Sequence, residues 1–478
     1  MSTNDADERL PIKIDSTSNG EFVPLPLPEI NRTANTLARE KAFEHARCLR
    51  QSRRAFLRSA AGAASVLFAF NHVHAAAGRD GGYFEVAAEA TFDDALALEQ
   101  LGGNEFVFDV QGHYVVPPKL ATTLKPGCRA DHEHLGRDYM RCIGAEAFIK
   151  DIFLDSDTDM MVLSFIPSRR EAEPLTIAEA ATTREIVERM EGTHRLLIHG
   201  RVNPNQDGDL DDMDELAERW GVAAWKCYTQ WGPAGVGFHM TDPDTGIPFV
   251  EKARRLGIKT ICIHKGIPFG RRSYRHSVCT DIGAIAARYP DVNFLVYHSG
   301  YVPGQKEGPY QPGRGEGVDE LIRSVLDNGL GRGSNVYAEL GTTWRMLMRD
   351  PQEAAHCVGK LVKHLGEDNV LYGSDCVWYG SPQDQIQALR SFQITSEFQE
   401  RFGYPAMTPA LRAKILGLNG ARVYGVQVDE ILERAGRDTI TASRENYRNH
   451  PNPHFRTFGP RTRREFMDLL RLKGGSRA

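Results

Sequence analysis

Residues 258–298 read IKTICIHKGIPFGRRSYRHSVCTDIGAIAARYPDVNFLVYH, and this stretch decides the fold. Two short apolar, β-branched runs, Ile258 to His264 and Val292 to His298, each end in a histidine. Between them, Thr280 to Arg288 carries apolar residues at three- and four-residue spacing, the period of a helix lying on a core. Strand, helix and strand in that order make a parallel pair joined by a crossover helix.

Outward from this stretch the same unit recurs. Further strand-like runs are Phe106 to His113, Met160 to Ile166, Arg195 to Arg201, Val222 to Tyr228, Asn335 to Gly341 and Asn369 to Asp375. Helical periodicity marks Ile177 to Glu191, Asp211 to Trp220, Pro248 to Leu256, Val318 to Asp327 and Pro351 to Leu365. Eight strands so alternated close into an α/β, TIM-type (β/α)8 barrel. The expected organisation is one catalytic domain over residues 78–430, with an insertion after the first strand and a basic C-terminal extension over 431–478. The long first connection, 114–159, holds Pro117, Pro118 and Gly127, and is expected to lie over the barrel mouth as a lid.

The chain has 478 residues, 41% hydrophobic and 25% charged, with a formal net charge of -5. That balance provides a large core but no basic field to draw the protein onto nucleic acid, so a small-molecule substrate is expected. Eight cysteines occur without a CxxC pair and are read mainly as buried thiols.

Residues 1–77 read as a disordered segment followed by a twin-arginine signal peptide. Val23 to Pro28 is proline-rich and the chain begins polar, with a short helix expected over 33–48. Arg53 and Arg54 precede a weakly apolar run, Ala60 to Phe70, and the small residues Ala75 to Ala77. Basic, apolar, small is the order of a signal peptide. At ~1.5 Å per residue the apolar run is too short to span a ~30 Å hydrocarbon core. The expectation is therefore recognition by the twin-arginine translocation machinery, cleavage near Ala77 and a periplasmic or secreted enzyme, cytoplasmic if the signal does not function. No stable membrane span is expected, and a homodimer is compatible with this reading.

The polar residues fall at the strand ends: Gln111 and His113, His264, His298 and Asp375. In a barrel these ends converge on one mouth, and Gln111 and His113, two apart, share a strand face. Imidazole and carboxylate together suit zinc, manganese or iron, and three protein ligands with an open position make a catalytic site. The expectation is one divalent metal, with zinc the first choice. His132 and His134 also form an HxH pair, but no apolar strand precedes them.

The runs FDVQGHYV, TICIHKG, NFLVYHSG, NVLYGSDCVW and ILGLNGARVYGV, together with DIFLDSDTDMMVLSFIP, resemble the amidohydrolase-related (amidohydrolase 2) family over roughly residues 105–427. This family of the metal-dependent hydrolase superfamily includes hydrolases and decarboxylases such as aminocarboxymuconate-semialdehyde decarboxylase. The resemblance implies His113, His264 and Asp375 as metal ligands. His298 corresponds to the family's strand-6 histidine, a catalytic partner of Asp375. It also places Gln111 where the family has the first histidine of an HxH pair. An amide oxygen is a neutral, weaker donor than imidazole. Lys226 ends the fourth strand, where related enzymes can carry a carboxylated lysine between two metals, although one metal is the expectation here. Arg271 and Arg272 could clamp a substrate carboxylate, and Trp344 and Trp378 could line an aromatic pocket.

The resulting expectation is an amidohydrolase-type hydrolase acting on a small amide, lactone or related carbonyl substrate through metal-activated water. Asp375 would accept and pass on the proton, and His298 would polarise the carbonyl or act as acid-base partner. The alternatives are a metal-dependent non-oxidative decarboxylase of an aromatic or unsaturated carboxylic acid and a non-catalytic binding barrel with a degenerate metal site.

Overall fold

The computed structural model describes residues 9–114, 144–191, 194–269, 273–449, 451–453 and 455–472. The Pro117, Pro118 and Gly127 stretch of the expected lid, His132, His134, Arg271 and Arg272 lie outside the described residues.

Among the described residues there are ten strands: β1 Gly82–Phe84, β2 Phe108–Gly112, β3 Met160–Leu163, β4 Leu196–Arg201, β5 Ala224–Tyr228, β6 Thr260–His264, β7 Asn293–Tyr297, β8 Val336–Glu339, β9 Val370–Leu371 and β10 Phe392–Ile394. Strands β2 to β9 run parallel in sequence order. The chain beyond β9 closes the ring against β2: Val110 N donates to the Tyr372 carbonyl at 3.1 Å, and Val377 N to that of His113 at 3.1 Å. The result is the (β/α)8 barrel, with helices such as Ile177–Glu191, Gly317–Asp327 and Pro351–Leu365 between strands. Strands β1 and β10 form a separate antiparallel pair outside it.

Side-chain alternation fills the lumen. Phe108, Val110, Met160, Val162, Ala224, Cys262, Leu295, Tyr297 and Leu371 form one buried cluster, with Leu197 of β4 and Tyr337 of β8 against it. All eight barrel strands thus contribute to it, as inward-pointing residues of a closed parallel sheet must. Two residues further along the same faces stand Lys226, His264 and Glu339, so the apolar floor carries a polar rim.

The amino-terminal region departs from the expectation of disorder. From residue 9 onward it is folded and largely buried, with helices α1 Glu29–Cys48, α2 Arg53–Leu57, α3 Ala60–Ala76 and α4 Asp94–Leu101. Ala34, Ala38, Ala42 and Ala46 make a small-residue stripe along α1, and this helix packs on α3. In the first turn of α3, a Cβ at Gly62 would meet the Phe56 carbonyl oxygen at 2.4 Å, so only glycine fits. Low hydrophobicity and proline content show that a segment cannot build its own core. Here the core is lent by the barrel. The Ala-rich run read as a signal's apolar region buries Ala61, Ala64, Val66, Leu67 and Phe70. Among the described residues, no helix is long and apolar enough to cross a membrane.

The basic C-terminal extension is also used structurally. Helices Thr439–Asn449 and Arg463–Leu472 lie against the rest of the chain, Arg444 Nε donates to the Phe153 carbonyl at 2.9 Å, and Ser18 N donates to that of Pro460 at 2.9 Å.

Candidate active site

Several local devices aim the strand-end side chains into the mouth. The β2–β3 register shifts between Asp109 and Gly112, the irregularity that commonly re-aims residues beside active sites. It lets Gln111 and His113 join the mouth although Phe108 and Val110 face the lumen. Positive φ values, 66° at His298, 53° at Ser299, 54° at Thr342 and 54° at Asp375, turn the chain sharply just past the strands. Left-handed backbone at non-glycine residues costs of order 1–3 kcal/mol each and clusters where function requires it.

All five strand-end residues expected at the mouth are buried and gathered in one place. His113 Nδ1 lies 3.0 Å from the Ser164 carbonyl, so it carries the proton and leaves Nε2 with a lone pair. That lone pair points at Asp375 Oδ1, 3.2 Å away. Two acceptors facing each other are an arrangement that a cation, a proton or a metal ion, would join. His298 is built alike. Its Nδ1 donates to the Gly341 carbonyl at 2.7 Å, and its buried Nε2 has no partner among the described residues. Imidazoles whose outer N–H is fixed on a carbonyl are the usual arrangement around a bound metal.

Gln111 Nε2 donates to Asp375 Oδ1 at 3.1 Å and lies 3.3 Å from His113 Nε2, while its Oε1 is buried without a partner. Rotating the amide would present that oxygen to the same point. Asp375 Oδ2 accepts from Asn19 Nδ2 at 2.9 Å and from the Thr342 hydroxyl. Burial alone would raise the Asp375 carboxyl, but the surrounding His113 and His298 imidazoles and the Thr342 hydroxyl outweigh it, holding the group well below the usual range. Burial, with the neighbouring His264, pushes His298 down to about 3, so it is neutral at pH 7. Burial and the nearby Lys226 hold His264 well below the usual range.

Three further residues at this mouth were not singled out in the sequence. Glu21 places both carboxylate oxygens 3.1 Å from His264 Nε2, and Asn19 joins Glu21 to Asp375. Nothing in the polar segment around them marks either residue, although LPIKI at 10–14 alternates weakly like a strand. Glu339 ends β8 among apolar residues, a position that could have been read like those of His264 and Asp375. Burial raises it to about 8, so it is neutral at pH 7. Its Oε1 and Gln111 Oε1 both crowd the point where a Cβ on Gly341 would stand, 2.6 and 2.2 Å away, so glycine is needed there. Lys226 lies in the lumen with Nζ 3.6 Å from the Tyr297 ring centroid and no hydrogen-bond partner among the described residues.

Trp344 differs from the pocket expectation. Trp344 is wholly buried, donates Nε1 to the Gln385 carbonyl at 2.9 Å and packs edge-on against Phe392, which places it in the outer layer. Trp378 is buried, and its carbonyl accepts from Phe458 N and Gly459 N at 2.8 and 2.9 Å.

The amidohydrolase family model matches residues 154–426. The chain belongs to this family of metal-dependent enzymes. No curated protein matches it. Among solved structures, 5-carboxyvanillate decarboxylase from Novosphingobium aromaticivorans, complexed with manganese and 4-hydroxy-3-methoxy-5-nitrobenzoic acid, is similar at 12% identity and a TM-score of 0.44, covering 68% of this chain and 97% of that one. The corresponding enzyme from Sphingomonas paucimobilis is similar at 12% identity and 0.39, covering 68% and 100%. An amidohydrolase from Mycobacterium avium subsp. paratuberculosis K-10 is similar at 13% identity and 0.39, covering 69% and 100%. Superpositions this loose carry nothing about substrate.

Proposed function

We propose that this protein hydrolyses a small amide, lactone or related carbonyl substrate with the help of one divalent metal. The observation that carries the reading is the opposition of His113 Nε2 and Asp375 Oδ1 at 3.2 Å, two acceptors that a cation would join. His113, His264, Asp375 and the Gln111 oxygen would hold the ion, and this nitrogen and oxygen donor set suits zinc or manganese. A bound metal lowers the pKa of its water to ≈ 7 and polarises a carbonyl.

The protein's own groups divide the remaining work. His298, with Nδ1–H fixed on Gly341, offers an acceptor at Nε2, so it serves as a base and not as the donor that would polarise a carbonyl. Asp375 stays ionised at neutral pH, held by Asn19 and Thr342, and passes the proton toward the leaving group. Metal analysis of the purified protein, coupled to a screen of lactones, amides and aromatic carboxylic acids, tests the reading. Metal-dependent turnover of a lactone or amide supports it; a metal-free protein with no turnover leaves the binding-barrel alternative.

Arg345 favours a second reading, the decarboxylase. It is wholly buried, lies over the Tyr379 ring, and has Nε and Nη1 without partners among the described residues. Tyr379 reaches the Thr342 hydroxyl that holds Asp375. A guanidinium so placed would suit a substrate carboxylate. Release of carbon dioxide from a carboxylic acid in the same screen, without hydrolysis of the esters and amides, selects this reading.

We also propose export by the twin-arginine route, on the pattern of Arg53, Arg54 and the Ala60 to Ala77 segment, without the expected cleavage near Ala77, because that cut would remove Asn19, Glu21 and the buried helix α3 from the fold. Replacing both arginines with lysines is expected to retain the protein in the cytoplasm, and unchanged delivery would sink the proposal.

A further inference from the structure

We propose that Glu21, carried into the barrel mouth by the amino-terminal segment, is a direct ligand of the divalent metal, supplying the negative charge that Gln111 lacks. The proposal rests on the metal-site reading above and adds to it a ligand from outside the barrel strands.

Geometry is the first support. One donor atom from each of Glu21, His264 and His298 lies within 4.8 Å of the others, and all three residues are buried. His298 Nε2 is a buried acceptor without a partner among the described residues, and its other nitrogen is fixed on a carbonyl. Asn19 donates to both Glu21 and Asp375, so one amide fixes the two carboxylates about a common point. Such outer contacts orient ligands in metal sites.

Charge is the second support. With a neutral amide at position 111, the set His113, His264 and Asp375 offers one negative charge to a divalent ion. A second carboxylate gives the ion two negative charges to match its own, which matters where burial makes any uncompensated charge costly.

Anchoring is the third. Residues 10–22 have little regular structure, yet they are pinned at several points. Lys13 pairs with Asp384 at 2.8 Å, and both side chains are buried. Asp15 takes hydrogen bonds from Arg345 Nη2 at 2.8 Å and from the Thr457 hydroxyl at 2.9 Å. Ile12, Ile14 and Phe22 are buried in the same core as the barrel helices. A ligand held this way is positioned before the metal arrives, as a working site requires.

The test compares full-length wild type with Glu21→Gln, Glu21→Asp and the double variant Glu21→Gln/Gln111→Glu. Zinc affinity is measured against a competing chelator, cobalt-loaded protein gives the visible ligand-field spectrum, and circular dichroism checks folding. Outer-shell changes shift affinity by roughly 10- to 100-fold, so Glu21→Gln is expected to weaken zinc by about 100-fold or more and to alter the cobalt spectrum. Glu21→Asp should fall between, and if Glu21→Gln does not fold it decides alone by the same two readouts. Restoring a carboxylate at position 111 should recover at least about 10-fold. Unchanged affinity and spectrum in the folded single variants would overturn the proposal. A rise in turnover with unchanged affinity would do so too, and would place Glu21 where substrate binds. Wild type that binds neither zinc nor cobalt would instead sink the metal-site reading itself.

Discussion

The barrel strands and residues 10–22 deliver polar side chains to the same mouth by opposite means. The strands place His264 and Glu339 by alternation on a rigid sheet, two residues beyond an apolar floor. The amino-terminal segment has no ladder to hold it and places Asn19 and Glu21 through individual side-chain contacts. A sheet positions residues through periodicity, so its contribution can be read from local sequence. A strapped segment does so through partners hundreds of residues away, as in Lys13 with Asp384 and Asp15 with Arg345.

Removing the strap should have the largest effect. Deleting residues 1–22 is expected to leave Asp384 and Arg345 buried without their partners, each broken pair costing about 3–5 kcal/mol. The sum rivals the whole stability of a typical domain, so denaturant titration should show a severe loss or no cooperative transition. An unchanged midpoint would mean that the strap is an ornament on a self-sufficient barrel.

A point change on the barrel side should do the reverse, removing activity and sparing the fold. Asp375→Asn keeps the shape but removes the charge and the proton acceptor. Its turnover is expected to fall about 10³-fold or more, read on whichever substrate the screen identifies, with circular dichroism unchanged. His298→Ala should cost about 10²-fold, at the lower end of what a positioned acid-base group contributes. Near-normal rates in both would move the chemistry away from these strand ends.

The smallest effect concerns the lumen. Burial lowers Lys226 to about 8 from the usual 10.5. Its folded pKa is thus below its unfolded one, and the cost of burying the ammonium is fully present below about pH 8. That cost disappears as pH rises toward the unfolded value, so this group's contribution to stability improves with pH, by at most about 1.4 kcal/mol per pH unit. Comparing wild type with Lys226→Met by urea titration at pH 7.5 and pH 9.5, two pH values chosen to bracket that shift (~8), isolates the effect. Stability differences that do not change between the two would mean that the folded pKa is not depressed and that Lys226 keeps its charge in the folded state even at the higher pH.

The barrel and most of its rim follow from local patterns in the chain. Apolar runs of period two, helical stretches between them and polar residues at their ends are local patterns, and burial in a closed parallel sheet leaves little freedom in how they are used. His113, His264, His298 and Asp375 were therefore legible, and so was Gln111 as the odd member of the set. What fills the rest of the mouth depends on long-range packing. Composition led to an expectation of disorder in the amino-terminal segment, and did not show that from residue 9 onward it packs against the barrel. Asn19 and Glu21 reach Asp375 and His264 across 356 and 243 residues of chain. The outward packing of Trp344 was settled by its hydrogen bond to Gln385 and its contact with Phe392. Contacts of that range follow from how elements pack in three dimensions, and no window of local sequence carries them.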